Sequence, residues 1–144
     1  MTSLLKLEDF PFKDYDKLRY GDMDALGHIN NAVYVTMLET GRAGLLSHPQ
    51  IDAWNHEQFT FVIARIEIDY RNEVRWPGLV HVGTAVKSIG TSSMVLHQAL
   101  FNNDICVLTA QSVMVQVDKQ AHRPAPITPA TRAVLETLMF KPPA

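Results

Sequence analysis

Between residues 19 and 42 the chain reads RYGDMDALGHINNAVYVTMLETGR. Two aspartates, a histidine and two asparagines (Asp22, Asp24, His28, Asn30 and Asn31) fall in one turn-rich loop just ahead of an apolar run. A loop carboxylate can attack a carbonyl or take a proton from water. Asn30 and Asn31 are residues of the type that cap helices, and the start of a helix presents unpaired backbone N–H groups and the positive end of its dipole. Aimed at a carbonyl, such amides form an oxyanion hole. One turn therefore holds both halves of acyl-transfer chemistry. Each residue also has a plainer reading, with Asp22 and Asp24 as turn formers that bond their own backbone, the two asparagines as caps, and His28 as loop scaffold.

The surrounding elements must hold that loop in place. Residues 14–20 read as a strand with imperfect alternation. A helix follows over residues 31–46, with apolar positions spread widely enough to predict that it is largely enclosed. Gly41 and Gly44 cost that helix roughly 1 kcal/mol each against Ala, which predicts close approach of a neighbouring backbone. Glu39 and Arg42, three apart, are expected to pair locally. Residues 59–70, 79–89, 94–101 and 105–117 read as strands, with a turn at Gly90–Thr91 and a hairpin signal at Asn102-Asn103-Asp104. HRPAPITP is extended, then Thr128 caps and Pro129 opens a short helix to about Phe140. Short connections predict antiparallel pairing of the four strands. One long helix against an antiparallel sheet is an α+β arrangement, and the open sheet edges favour dimerisation by edge pairing.

Composition narrows the function. At 144 residues the chain is read as a single domain over residues 1–144. Its 13 Lys+Arg against 15 Asp+Glu, a net charge of −2, lack the footprint of a nucleic-acid binder. No apolar run is long enough for a membrane span, and the first residues do not read as a signal peptide. The single cysteine, Cys106, lies in the apolar run ICVLTA; it reads as a buried structural thiol and fits a reducing, cytoplasmic setting. Asp22-x-Asp24-x-x-Gly27 imitates the start of a calcium loop, but Leu26 and Val33 stand where ligands are required. The six histidines show no metal-ligand spacing, and no phosphate-binding or nucleophile-elbow motif is present.

The pattern D-x-D-x-x-G-H-x-N-N-x-x-Y at residues 22–34 resembles the hot-dog-fold acyl-CoA thioesterases of the 4-hydroxybenzoyl-CoA thioesterase type, and their bacterial acyl-CoA thioester hydrolase branch in particular. EIDYRNEVRWPG and GTSSMVLHQALFNNDICVLTAQSVMVQVD support it, so the resemblance covers roughly residues 14–140. It implies a five-stranded antiparallel sheet wrapped around one long helix, with a short C-terminal helix, in a homodimer or homotetramer. The activity implied is hydrolysis of an acyl-CoA thioester, without metal or organic cofactor. Asp24 takes the place of the family's catalytic carboxylate, as nucleophile or general base, and the backbone amide near Asn31 that of the group polarising the thioester carbonyl. His28 would order the loop or assist. The related plant acyl-carrier-protein thioesterases carry Asp-x-Asn-x-His here; this chain keeps Asp24 and His28 but has Leu26 for the Asn. With binding at a subunit interface, Thr60 becomes a candidate for positioning water. Arg65, Arg71, Arg75 and Lys87 become candidates for CoA phosphates, and Thr91, Ser92 and Ser93 for contacts to pantetheine or phosphate. Tyr34, Leu38, Trp54 and Phe59 would set the depth of the acyl pocket. Acyl carrier protein is an alternative carrier. A hot-dog hydratase or dehydratase, or an acyl-thioester binding module without turnover, are the competing readings.

Overall fold

The computed structural model describes residues 4–51 and 56–142. In chain order the elements are β1 (Phe12–Lys17), α1 (Asn31–Leu46), β2 (Phe59–Tyr70), β3 (Leu79–Ile89), β4 (Ser93–Asn102), β5 (Ile105–Asp118), β6 (Arg123–Pro124) and α2 (Pro129–Glu136). Strands β1 to β5 form one antiparallel sheet in the order β1-β3-β4-β5-β2, and the two-residue β6 adds to β5. The sheet thus has five strands, as expected, plus this short sixth one.

Strand β2 does not pair with the strand that follows it. It crosses to the far edge and pairs with β5 from Phe59↔Asp118 to Tyr70↔Leu108. Among the described residues its other edge meets no strand. The first strand ends earlier than the sequence suggested, at Lys17, and Tyr20–Asp22 is a single 3-10 turn instead. The Asp22 carboxylate causes this, because it accepts the Arg19 N–H at 2.9 Å and draws the backbone into a local turn. The β4–β5 hairpin turns at Asn103 (φ 51°) and Asp104 (φ 64°), the left-handed pair that the Asn-Asn-Asp run favours. The C-terminal helix is shorter than expected, ending at Glu136.

Helix α1 lies on one face of the sheet. Its buried residues (Tyr34, Met37, Leu38, Gly41, Arg42, Leu45 and Leu46) recur at three- and four-residue spacing. Ala32, Val35, Thr36 and Glu39 are exposed in the single chain, so the helix is covered on one face and not enclosed all round. Both helix glycines mark close approaches, though of side chains and not of the neighbouring backbone expected from sequence. A Cβ on Gly41 would sit 2.6 Å from Val82 Cγ1, and one on Gly44 would sit 2.7 Å from the Phe12 ring. The expected Glu39–Arg42 ion pair does not form. Arg42 turns into the core, where Nη1 donates to Gln98 Oε1 at 3.3 Å. Gln98 in turn donates to the Leu38 carbonyl at 2.9 Å and to Thr84 Oγ1 at 3.0 Å, so a buried polar network ties α1 to β3 and β4. Burial pushes the Arg42 guanidinium down, and the Glu39 charge opposes this from a distance.

The opposite face of β3 and β4 is covered by chain ends. Phe10, Leu5 and Leu7 from the N-terminal segment and Phe140 from the C-terminal one pack on Ala85, Ala99 and Phe101. Cys106, at the rim of this cluster, is half-buried and free, and burial pushes its thiol up.

Candidate active site

The Asp24 loop is folded by its own groups. Met23 and Ile29 form an isolated antiparallel bridge. The Asp24 N–H donates to the His28 carbonyl at 2.8 Å, and Gly27 closes the turn at φ +80°. Asp24 Oδ1 accepts the Leu26 N–H at 2.9 Å and the His28 N–H at 3.4 Å, an Asx turn. Asp22 is a structural residue, with its carboxylate on Arg19 and its carbonyl accepting the Asn30 N–H at 2.9 Å. Asn30 is the helix cap, its side chain accepting the Ala32 N–H at 2.9 Å. Asn31 is therefore the first helical residue, and its amide has no carbonyl one turn back to bond.

The end of β2 and the segment after it hold this loop from behind. The Ile29 N–H donates to the Val74 carbonyl at 2.9 Å. Tyr70 Oη donates to the Asn31 carbonyl at 3.0 Å. The Tyr34 and Tyr70 rings meet edge to face at 5.6 Å. Burial pushes the Tyr34 hydroxyl up against a hydrogen bond with the Val74 backbone, and the nearby Tyr70, Asp24 and Glu73 add to the rise, so it stays protonated at neutral pH.

Asp24, His28, Asn31, Tyr34, Tyr70 and Glu73 line one open cleft of about 340 Å³. Arg71 lines it too, and also two neighbouring clefts, with its Nε on Thr109 Oγ1 at 3.1 Å. A carboxylate whose other oxygen makes no hydrogen bond among the described residues, a helix start and a cation so share one cleft, which suits attack on a polarised carbonyl. Arg75 does not line that cleft; its Nη2 lies 3.0 Å from His28 Nε2. Two residues that the sequence reading did not single out belong here. Tyr70 reads in sequence as an ordinary strand aromatic. Glu73 lies 3.1 Å from His28 Nε2, a contact between segments 45 positions apart that no local pattern announces.

The remaining candidates lie elsewhere in the single chain. Thr60 lines a separate, small cavity with Phe59 and Gln116. It is ten residues from Tyr70 along β2, roughly 30 Å at strand spacing. Thr91, Ser92 and Ser93 occupy the β3–β4 turn at that same end, since Ser93 pairs with Val115 and Val115 with Val62. Their carbonyls are engaged, Ser92 by the Gln116 N–H at 2.7 Å and Thr91 by the Ile127 N–H at 2.8 Å. One chain therefore does not bring Thr60 or the 91–93 turn to Asp24. Arg65 is paired with Glu67 and Lys87 is exposed on β3. Leu38 is in the core, fully buried in the single chain, and Trp54 lies outside the described residues.

A five-stranded sheet wrapped on one long helix, with a carboxylate loop at the helix start, is the hot-dog architecture. The family described as the thioesterase-like superfamily matches residues 18–135. An Escherichia coli protein named acyl-CoA thioester hydrolase YbgC is 27% identical over 101 residues, 69% of this chain and 75% of that one. A thioesterase from Thermus thermophilus, solved with coenzyme A and Zn, is 30% identical with a TM-score of 0.80, covering 91% of this chain and 96% of that one. A predicted thioesterase from Bacillus stearothermophilus is 27% identical with a TM-score of 0.82, covering 92% and 98%. The chain belongs to the thioesterase-like superfamily.

Proposed function

We propose that this protein hydrolyses acyl-CoA thioesters to the free acid and CoA, with Asp24 as the reacting carboxylate. The observation that carries the reading is the cleft that holds Asp24, His28 and Asn31 at the start of α1. Asp24 Oδ1 is fixed by two loop amides, which holds the carboxylate in one orientation. The carboxylate attacks the thioester carbonyl, or takes a proton from the water that does. The amide of Asn31 stabilises the oxyanion. The C–S bond then breaks and CoA leaves. On the first route it leaves as the thiolate, and water hydrolyses the acyl–Asp24 anhydride to the free acid, restoring the carboxylate and releasing a proton that the thiolate takes up. On the second route the proton that Asp24 took from water passes to the departing sulfur.

The working unit is a homodimer or larger assembly formed through the free edge of β2, where Val62 and Ile63 are 43% and 45% exposed. Edge strands of this kind invite pairing with another chain. An antiparallel pair of β2 strands brings the Thr60 end of one chain beside the Tyr70 end of the other. That arrangement would unite Thr60 and the Thr91–Ser93 turn with the partner's Asp24 cleft, where they serve water and pantetheine, while Arg71 and Arg75 attract the CoA phosphates. The setting is the reducing cytoplasm, consistent with the free thiol of Cys106.

The test is thiol release from short, long and aromatic acyl-CoAs, with the matching acyl carrier proteins run alongside. Turnover on at least one acyl-CoA is expected, and the preferred member of the panel gives the acyl class. Turnover on acyl carrier proteins alone would move the reading to that carrier. No turnover on either would overturn it.

A further inference from the structure

One ring nitrogen of His28 has two partners that cannot both be satisfied. Nε2 lies 3.1 Å from Glu73 Oε2 and 3.0 Å from Arg75 Nη2. A carboxylate accepts only, so it bonds Nε2 when that nitrogen carries a proton. A guanidinium donates only, so it bonds Nε2 when that nitrogen is bare. The choice of partner therefore decides where the ring proton sits. With Glu73 engaged the proton is on Nε2 and the neutral ring keeps its lone pair on Nδ1. With Arg75 engaged the proton is on Nδ1 and the ring has no free lone pair.

The two partners are matched closely enough for the choice to matter. The Glu73 and Arg75 side chains are 65% and 64% exposed, so each contact is screened and weak. They also lie 3.9 Å from each other, so whichever one releases His28 keeps a counterion. His28 itself is the sheltered member, 26% exposed. Its backbone N–H is on the Asp24 carboxylate and its carbonyl accepts the Asp24 N–H. The backbone of His28 is thus bonded directly to the residue proposed to react. The other titratable or charged groups facing this point are Asp24 from the loop, Tyr34 from α1, Tyr70 from β2 and Arg71 from the segment after it.

We infer that Glu73 is a positioning residue for the Asp24 site, acting through His28, and that Arg75 is its competitor for the same ring nitrogen. Glu73 keeps the ring proton on Nε2 and the lone pair on Nδ1, so that His28 serves the cleft as an acceptor. The inference rests on the proposed hydrolysis for its kinetic consequence, but the position of the proton can be read without substrate.

The experiment combines ring nitrogen NMR of His28 with steady-state kinetics on wild type, Glu73→Leu, Glu73→Asp and Arg75→Gln, at a pH where the ring is neutral. In wild type and Arg75→Gln the proton is expected on Nε2. In Glu73→Leu, which leaves no oxygen to accept that proton, it is expected to move towards Nδ1, with kcat lowered at least about tenfold and KM little changed, below the full scale of acid–base assistance because Glu73 acts at one remove. Glu73→Asp should restore part of the kcat and the wild-type tautomer. An unchanged tautomer in Glu73→Leu would overturn the inference even if the enzyme proved inactive for other reasons, and so would a wild-type kcat in that variant. Misfolding of Glu73→Leu is checked by its amide spectrum, and Arg75→Gln then carries the test, because a proton on Nδ1 in that variant contradicts the assignment.

Discussion

At the scale of single residues the most informative titratable group outside the cleft is His97. Its ring lies between Phe10 (5.4 Å) and Phe140 (4.7 Å), and Nδ1 is buried without a partner among the described residues. Burial pushes this imidazole below its ordinary value, the Lys87 charge adds to the fall, and a hydrogen bond with the Ala110 backbone opposes it. Above pH about 6.5 the ring is neutral folded or unfolded, and its stabilising contacts are fully present. As the pH falls below that, the unfolded chain takes up the proton first, and stability declines until the folded ring titrates as well. Urea midpoints measured from pH 7.5 to 5.0 should therefore fall more steeply for wild type than for His97→Phe, and parallel curves would refute this. Local sequence announced the Asp24 turn and the Asn30 cap because those side chains bond backbone amides two to four residues away. It did not announce Glu73 or Tyr70, which reach the cleft only because β2 crosses the sheet. Arg42 departs from expectation for a related reason. A helical i,i+3 partner is visible in sequence, whereas Gln98 on a distant strand is not.

At the scale of elements, α1 is held at a distance set by its glycines. A Cβ at Gly41 would stand 2.6, 2.7 and 2.8 Å from Val82, Thr84 and Gln98, and Gln98 is already fixed by bonds to Leu38 and Thr84. Gly41→Ala is thus expected to destabilise by about 1–3 kcal/mol, as overpacking does, despite the gain in helix propensity. The Tm should drop by several degrees, and an unchanged or raised Tm would show that the helix can shift outward freely. The bounds of α1, β2 and β3 were legible because a cap, apolar periodicity and breakers agree there. The early end of β1 was not, because one carboxylate–amide bond overrode the alternation. The strand order was not legible either, since short connections favour neighbours and the segment between β2 and β3 instead crosses two strands.

At the scale of the whole molecule the exposed face of α1 and the open edge of β2 belong to one question. Dimerisation through β2 would bury Val62 and Ile63 and complete the cleft with a second chain's Thr60. Ile63→Lys places a charge on that edge and is expected to give a folded monomer, seen by light scattering, with turnover reduced at least about a hundredfold, because positioning groups from the second chain are lost. A fully active monomer would contradict the two-chain site, and a dimer unaffected by the charge would place the interface elsewhere. This level was the least legible in sequence, because a lone chain shows which edges are open but not which one is used.

The central claim is that the Asp24 carboxylate carries the reaction, and Asp24→Asn tests it most directly. Asparagine keeps an oxygen to accept the Leu26 and His28 amides, so the loop keeps its turn while the carboxylate is lost. Thiol release from the best acyl-CoA should fall by about 10²–10⁴-fold in a variant whose fold and oligomeric state match wild type. Wild-type turnover in that folded variant would make Asp24 a turn residue and place the chemistry on another group of the cleft.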